Sequence, residues 1–334
     1  IWSVETATVS NQTVVGDYEF QILSTRYRFT WFIDHSAGNV LKITRDDGTS
    51  TSTVSTGLTP GVGTFIVAAP WQGNVYWSYK ASGSILKLVV STMTHSSVAA
   101  SPANVEFMLI QDNNLLVIRQ SGDSFILQWS VDSAPEDFAG AGSGTIVLDT
   151  QHGRPQALLP FQADAMIIHT FGASVIISTG VASPAFRKEE QDDISGALWT
   201  YVAASSGSRL YYISSDRLLR VFDGGERFAG TGQDRTLRSI DGAEGRGGIG
   251  AAALHQQVVL FYSQRMNMLF MSDVVNQHTD ILDDDVNNWV ANKDAGWHWL
   301  TDSPSTTVEG KIIGVRNIIA DEDYIRHTFE LNPT

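Results

Sequence analysis

Four glutamines occur where one short apolar run ends and the next begins. They are Gln72, Gln111, Gln162 and Gln256. A glutamine amide both donates and accepts hydrogen bonds, so a ring of such side chains could hold the carbonyl group of a bound molecule. Trp71 directly precedes Gln72, and Trp199 lies in another short apolar run. Trp71, Gln72 and Trp199 are candidate ligand-binding residues. The alternative is that each glutamine only satisfies backbone groups of its own turn.

The sequence lacks the known signatures of hydrolysis. It has no Gly-x-Ser-x-Gly, no His-Glu-x-x-His and no carboxylate pair that recurs along the chain. Asp283, Asp285 and Asn287 have the spacing of calcium ligands, but Asn288 stands where the calcium loop needs glycine, which favours a solvated acidic turn. There is no cysteine. We therefore expect no metal site and no cofactor.

The elements that would position these residues follow a repeated pattern of two apolar runs joined by a polar turn. In the clearest copy, 211–213 and 218–222 favour strands and 214–216 favours a turn. Copies begin at positions 29, 75, 115, 166, 210 and 258, at intervals of 40 to 51 residues. An interval near 45 residues is typical of a β-propeller, in which each interval is one four-stranded blade.

A seventh copy begins at Tyr324, but the chain ends before its returning strand. Residues 1–5 resemble the second strand of another copy, at 128–132, so the N-terminal strand is predicted to complete the last blade. The first inner strand is expected to begin at Tyr18, and 310–315 is expected to be the last inner strand. The sequence thus predicts an all-β, seven-bladed propeller of four-stranded antiparallel blades in one domain, 1–334; six blades are the alternative.

Two stretches depart from the repeat. Residues 276–302 are predicted to form an insertion that overhangs one face of the ring, and it carries the candidate ligand-binding residues Trp297 and Trp299. Residues 183–195 hold the densest charge in the chain and are predicted to form a solvated loop between blades.

Composition restricts the partners and the compartment. A net charge of −14 opposes binding to a polyanion, and no apolar window approaches the ~18 residues that span a bilayer. We expect no nucleic-acid partner, no membrane partner, and a monomer or a dimer. A first residue other than Met and the sequon at Asn11 favour a secreted glycoprotein.

Four phrases resemble the fungal fucose-specific lectin family: Arg-Leu-Tyr-Tyr at Arg209, Tyr-Ile-Arg-His-Thr-Phe at Tyr324, Gly-Lys-Ile-Ile-Gly-Val at Gly310 and Gly-Ala-Leu-Trp-Thr-Tyr at Gly196. The resemblance implies a β-propeller that binds fucose between neighbouring blades. The family's site uses an Arg at the start of a hairpin, a Glu on the returning strand and an aromatic residue of the next blade. Arg209 falls at the Arg place, whereas Val221 occupies the Glu place.

Because the blades share an apolar framework and differ in their polar residues, a single site is expected rather than a repeated one. The chain also resembles lectin-like fungal hetero-Diels-Alderases, which implies a cofactor-free cyclase that holds a hydrophobic small molecule in a reactive pose. Hydrogen-bond donors would then lower the barrier by binding a carbonyl group. The candidate catalytic donors are Arg316, His255, Gln111, Gln162 and Tyr201. The alternatives are a secreted lectin that binds a glycan and a structural propeller of a virus tail.

Overall fold

The computed structural model describes most of the chain, with side chains described between residues 11 and 228. The described residues are 2–61, 65–80, 82–148, 151–191, 193–197, 203–205, 208–228, 249–254, 258–263, 268–273, 278–283, 297–299, 312–320 and 323–333. Every regular element among them is a β-strand. No helix in these residues has the length and apolarity needed to cross a bilayer.

The strands of the described part of the chain group into seven antiparallel sheets of four. The first strand of the chain is β1 (Trp2–Ser10). Sheet 1 contains β2 (Gln12–Ile22), β3 (Thr25–Asp34), β4 (Val40–Asp46) and β5 (Thr51–Ser55). Sheet 2 contains β6 (Ile66–Trp71), β7 (Asn74–Tyr79), β8 (Leu86–Val89) and β9 (Thr94–Ser97). Sheet 3 contains β10 (Val105–Gln111), β11 (Asn114–Ser121), β12 (Ser124–Trp129) and β13 (Gly144–Leu148).

The remaining sheets follow the same order along the chain. Sheet 4 contains β14 (Pro155–Phe161), β15 (Asp164–His169), β16 (Gly172–Ser178) and β17 (Phe186–Gln191). Sheet 5 contains β18 (Ala203–Ser205), β19 (Leu210–Ile213), β20 (Leu219–Phe222) and β21 (Glu226–Phe228). Sheet 6 contains β22 (Ile249–Leu254), β23 (Val258–Ser263), β24 (Met268–Asp273) and β25 (His278–Asp283). Sheet 7 contains β26 (Trp297–Trp299), β27 (Ile312–Ala320) and β28 (Asp323–Pro333), with β1 as its fourth strand.

Tight turns join the first and second strands of sheets 2 and 3. Gln72 and Gly73 have φ of 42° and 82°, and Asp112 and Asn113 have φ of 45° and 63°. Two successive residues with positive φ make a turn whose twist matches that of the paired strands. These turns bring the ends of the strands together and fix the register of each hairpin.

The described hydrophobic core lies between consecutive sheets rather than at one centre. Four clusters of buried residues occupy the interfaces between sheets 1 and 2, 2 and 3, 3 and 4, and 4 and 5. Strand β7 shows how one strand serves two clusters: Trp77 packs toward sheet 1, with its ring 6.1 Å from that of Trp31, while Tyr76 belongs to the cluster shared with sheet 3. Successive side chains of a strand point to opposite faces, so sheets 2, 3 and 4 each pack against a neighbouring sheet on both sides.

The first strands of successive sheets contact one another in chain order, from β2 and β6 to β22 and β26. Strand β2 also contacts β26 and β27, and β1 pairs with β28 from Trp2 opposite Pro333 to Ser10 opposite Ile325. The two ends of the chain thus meet in sheet 7.

Strand order in sheet 7 corrects two predictions. Residues 312–320 form the second strand, not the inner one, and Tyr324 lies in the third strand, β28. The inner strand of sheet 1 begins at Gln12 rather than at Tyr18. The reason is that the chain reverses at Asn11, with φ of 58°, so the segment before Asn11 is a strand of sheet 7 and the segment after it begins sheet 1.

The two departures from the repeat contain strands. Phe186–Gln191 is the outer strand of sheet 4, which corrects the prediction of a loop over 183–195. Its charges suit an outer strand, because charged side chains on a sheet edge oppose pairing with another chain. Within 276–302, His278–Asp283 and Trp297–Trp299 are strands of sheets 6 and 7, and the rest of the predicted insertion lies outside the described residues.

Gly16 tests the packing between sheets 1 and 2, because a Cβ at this position would lie 2.7 Å from the Cβ of Ile66. We expect Gly16→Ala to lower the free energy of unfolding by about 1–3 kcal/mol, since the backbones must separate. The matched control is Gly83→Ala, whose Cβ would meet nothing within 4 Å. Urea denaturation measures both; equal stabilities of the two variants would contradict this packing.

Candidate functional site

Each sheet has two ends, and the polar residues gather at them. The start face is the end at which the first strands of the sheets begin, near residues 66, 105 and 155, and at which the second strands end. The turn face is the opposite end, where the turns between first and second strands lie, at 72–73, 112–113 and 162–163.

The turn face holds five of the predicted site residues. Gln72 and Gln162 are exposed turn residues with positive φ, and Arg209 lies between β18 and β19, 3.7 Å from Asp223. Trp71 is partly buried against the cluster between sheets 2 and 3. Gln111 Nε2 donates a hydrogen bond to Ala163 O at 2.5 Å, so this amide links the turns of sheets 3 and 4.

The other predicted residues are only partly placed. Arg316 is the register partner of Trp297 in sheet 7, and Trp299 is opposite Gly314. Asn11 lies in the turn between β1 and β2. The remaining predictions, Trp199, Tyr201, His255 and Gln256, lie outside the described residues.

The start face carries a charged network that the sequence did not reveal. Three first strands contain a β-bulge, with Val15, Glu106 and Gln156 as the additional residues; the bulges of sheets 3 and 4 lie at the same distance from the hairpin turn. All three residues are buried. A bulge turns a side chain away from the regular alternation of its strand. In sheet 3 this places a carboxylate, Glu106, within the start face.

Glu106 joins three consecutive sheets. Lys80, which follows β7 of sheet 2, places Nζ 3.1 Å from Glu106 Oε1. Arg154, which precedes β14 of sheet 4, donates from Nη2 to Glu106 Oε2. The Arg154 guanidinium also lies 5.5 Å from the centroid of the Phe125 ring, at cation–π distance. The carboxylate is 4% exposed, whereas Arg154 is 33% and Lys80 44% exposed, so the cations extend from a buried anion toward solvent.

A second network lies beside it in sheet 4. Ser174 Oγ donates to Glu190 Oε2 at 2.7 Å and lies 2.9 Å from His169 Nε2. Because the hydroxyl proton is used on Glu190, His169 donates from Nε2 and is neutral in this arrangement. Burial lowers the pKa of His169 to about 4, against the opposing charge of Glu190. His152 Nε2, on the connection to β14, is 3.4 Å from Glu190 Oε2.

Two further carboxylates each bind a tyrosine and a basic residue that are paired in register: Glu136, in the connection between β12 and β13 of sheet 3, and Glu226, in β21 of sheet 5. Tyr76 is paired in register with Lys87, and both contact Glu136, at 2.9 and 2.6 Å. In sheet 5 the corresponding residues are Tyr212, Arg220 and Glu226. Burial and the hydrogen bond to the carboxylate raise the pKa of both tyrosines above the ordinary range, so each phenol remains a hydrogen-bond donor.

One signal in the sequence could have pointed to Glu106. It is the one charged residue of β10, Val-Glu-Phe-Met-Leu-Ile-Gln, a strand buried for most of its length. A charge in a buried strand requires a partner. Lys80 and Arg154 gave no such signal, because each lies in a polar connection and becomes notable only through its contact with Glu106.

Comparison with known proteins identifies the fold. No protein-family model and no curated protein matches the chain. A catalytically inactive virginiamycin B lyase from Staphylococcus aureus, solved with quinupristin, is similar with a TM-score of 0.59 and 8% identity, over 98% of this chain and 99% of that chain. The Cps50 (Swd1) β-propeller domain of Myceliophteria thermophila gives 0.55 and 9%, over 97% and 100%. YCF48 bound to D1 peptide gives 0.51 and 13%, over 97% and 94%. The prediction of an all-β propeller is confirmed.

Glu106→Gln tests the charged network. We expect a loss of about 1–3 kcal/mol in unfolding free energy, because Arg154 and Lys80 lose a buried anionic partner while remaining partly solvated. The control is Glu189→Gln, which removes an exposed carboxylate paired with Arg187 on β17 and should change stability by at most about 0.5 kcal/mol. Urea denaturation of both variants decides; a Glu106→Gln variant as stable as the control would contradict an anchoring role.

The lowered pKa of His169 predicts how the free energy of unfolding depends on pH. Its pKa is about 4 in the fold, below the 6.5 of an unperturbed histidine side chain. The unfolded chain therefore takes up a proton first, and the stabilisation, full above pH 6.5, is lost as the pH falls toward 4, by up to about 3 kcal/mol. His169→Gln keeps a donor for Ser174 and should flatten the pH dependence of unfolding over this range. His95→Gln, on β9, is the control; an unchanged slope in His169→Gln would refute the assignment.

Proposed function

We propose that the chain is a closed, seven-bladed propeller, one domain over 1–334, that binds a small molecule at a single site on the start face. The observation that carries the site is Glu106, a buried carboxylate that holds Arg154 and Lys80 from two neighbouring sheets. Ring closure is supported by the pairing of β1 with β28 and by the contact between β2 and β26.

The differences between blades support one site rather than several. At the bulge position of Glu106, sheet 1 has Val15 and sheet 4 has Gln156, whose amide donates to Thr170 Oγ1 at 2.9 Å. Of the three bulge residues only Glu106 carries a charge. A ligand that binds Arg154 and Lys80, the two cations held by Glu106, therefore has one blade interface to occupy.

The chemistry of the site suits a hydrophobic molecule with a carbonyl group. Arg154 and Lys80 are hydrogen-bond donors of fixed charge, and Phe125 supplies an aromatic surface beside Arg154. If the protein is an enzyme, Arg154 and Lys80 polarise the carbonyl group of a bound diene or dienophile, and the aromatic surface of Phe125 holds the reacting ends together. A cofactor-free pericyclic cyclase needs both of these effects. Arg154 and Lys80 are on the start face, whereas Gln111 and Gln162, the donors predicted from the sequence, are on the turn face.

A second candidate is a secreted, glycosylated lectin with sites between blades. It is favoured by the recurrence of a tyrosine paired with a basic residue, in sheets 2 and 5, with a carboxylate that contacts both. Against it, each carboxylate already contacts both partners within its triad. Fucose binding by this chain would have to displace those internal contacts.

The test is a screen of apolar carbonyl compounds by saturation-transfer NMR, with free fucose and other sugars included. We expect carbonyl compounds to bind the protein, and Arg154→Gln to weaken that binding by about tenfold or more, as for loss of a hydrogen bond from a charged donor. Arg187→Gln removes the same charge from the outer strand β17 and should leave binding unchanged. Sugar-displaceable retention on fucose-agarose, unaffected by Arg154→Gln, would replace the proposal by the lectin.

A further inference from the structure

The start face bears an excess of positive charge at the Glu106 network. Two cations, Lys80 and Arg154, share one carboxylate. Both cations are partly exposed and the carboxylate is buried, so a ligand approaching from solvent meets the cations first. The chain as a whole has a net charge of −14, but at physiological salt charges beyond about 8 Å are screened, and the local excess decides which ligand is favoured.

Arg154 is held in place while part of its guanidinium remains available. Nη2 of Arg154 donates a hydrogen bond to Glu106, and Nε is buried without a hydrogen-bond partner among the described residues. Within the same part of the chain, Nη1 makes no hydrogen bond. Nη1 is therefore the nitrogen that can donate a charge-assisted hydrogen bond to the carboxylate of a ligand. Because Glu106 and the Phe125 ring fix the plane of the guanidinium, little side-chain freedom remains to be lost on binding.

Aromatic surface flanks this cation. Phe125 is partly buried beneath the guanidinium. Phe171, in the turn between β15 and β16, is 65% exposed, and its backbone N–H donates to His152 O at 2.9 Å on the connection that leads to Arg154. This backbone contact brings the turn that carries Phe171 next to the connection that carries Arg154, and an exposed aromatic side chain there offers a contact for a planar apolar group.

We propose that the ligand of the start face is a planar, apolar carboxylate, such as an aryl carboxylic acid, whose carboxylate binds Arg154 and Lys80 and whose ring contacts Phe125 and Phe171. This inference rests on the proposed site and names the chemical class of its ligand. It adds to the carbonyl requirement a negative charge, which the two cations select.

The test is calorimetric titration of the full chain with 2-naphthoate, 2-naphthamide and acetate. We expect naphthoate to bind at least about tenfold more tightly than naphthamide, because a charge-assisted hydrogen bond replaces a neutral one. Acetate, which lacks the ring, should bind too weakly to saturate. Raising the salt concentration from about 20 to 200 mM should weaken naphthoate binding and leave naphthamide binding unchanged.

Variants separate the ligand class from the site. Arg154→Gln should reduce naphthoate affinity to that of naphthamide, Arg154→Lys should retain an intermediate affinity, and Arg187→Gln should have no effect. If both compounds bind equally well and both lose affinity in Arg154→Gln, the class is wrong and the site stands. If naphthoate binding is unaffected by Arg154→Gln in a variant that melts like the parent protein, both the class and the proposed site are overturned.

Discussion

In the described core, sheets 2, 3 and 4 are each covered on both faces by another sheet, and this packing determines how the described part of the molecule is organised. A four-stranded sheet of alternating side chains cannot bury two apolar faces by itself. Trp31 packs against Trp77, Trp129 against Phe186 and Phe161 against Phe222, and each pair joins two consecutive sheets. The first strands are thereby held side by side, and their ends form two faces on which polar residues of different sheets meet.

Polar contacts use this arrangement differently on the two faces. On the turn face, Gln111 and Ser205 donate hydrogen bonds to backbone carbonyl groups of the neighbouring sheet 4. These bonds satisfy backbone acceptors at the ends of strands, so the amide of Gln111 links two sheets. On the start face, Glu106 is buried and binds cations that remain partly exposed. A buried carboxylate with two partners rarely improves stability over an apolar residue, so the presence of Glu106 at one blade interface favours a role in orienting Arg154.

Local pattern predicted much of this fold. The repeated hairpins at 29, 75, 115 and 210 became strand pairs because apolar alternation and turn residues act over neighbouring residues. The charged strand Phe186–Gln191 was missed because edge strands tolerate charge, and the order of sheet 7 was missed because one turn at Asn11 decides how many strands the N-terminus supplies. The charged network of the start face was not predicted for a third reason: Glu106 gains its neighbours through a bulge and through residues 26 and 48 positions away in sequence. No local pattern encodes such contacts.

The central claim is that the ligand lies on the start face and is oriented by Arg154. A crystal structure of the protein grown with 2-naphthoate tests it most directly. We expect the carboxylate of 2-naphthoate to lie within about 3 Å of the Arg154 guanidinium, with the naphthyl ring against Phe125. A ligand bound instead on the turn face among Gln72, Gln111 and Gln162, or between blades beside Tyr212 and Glu226, would contradict it.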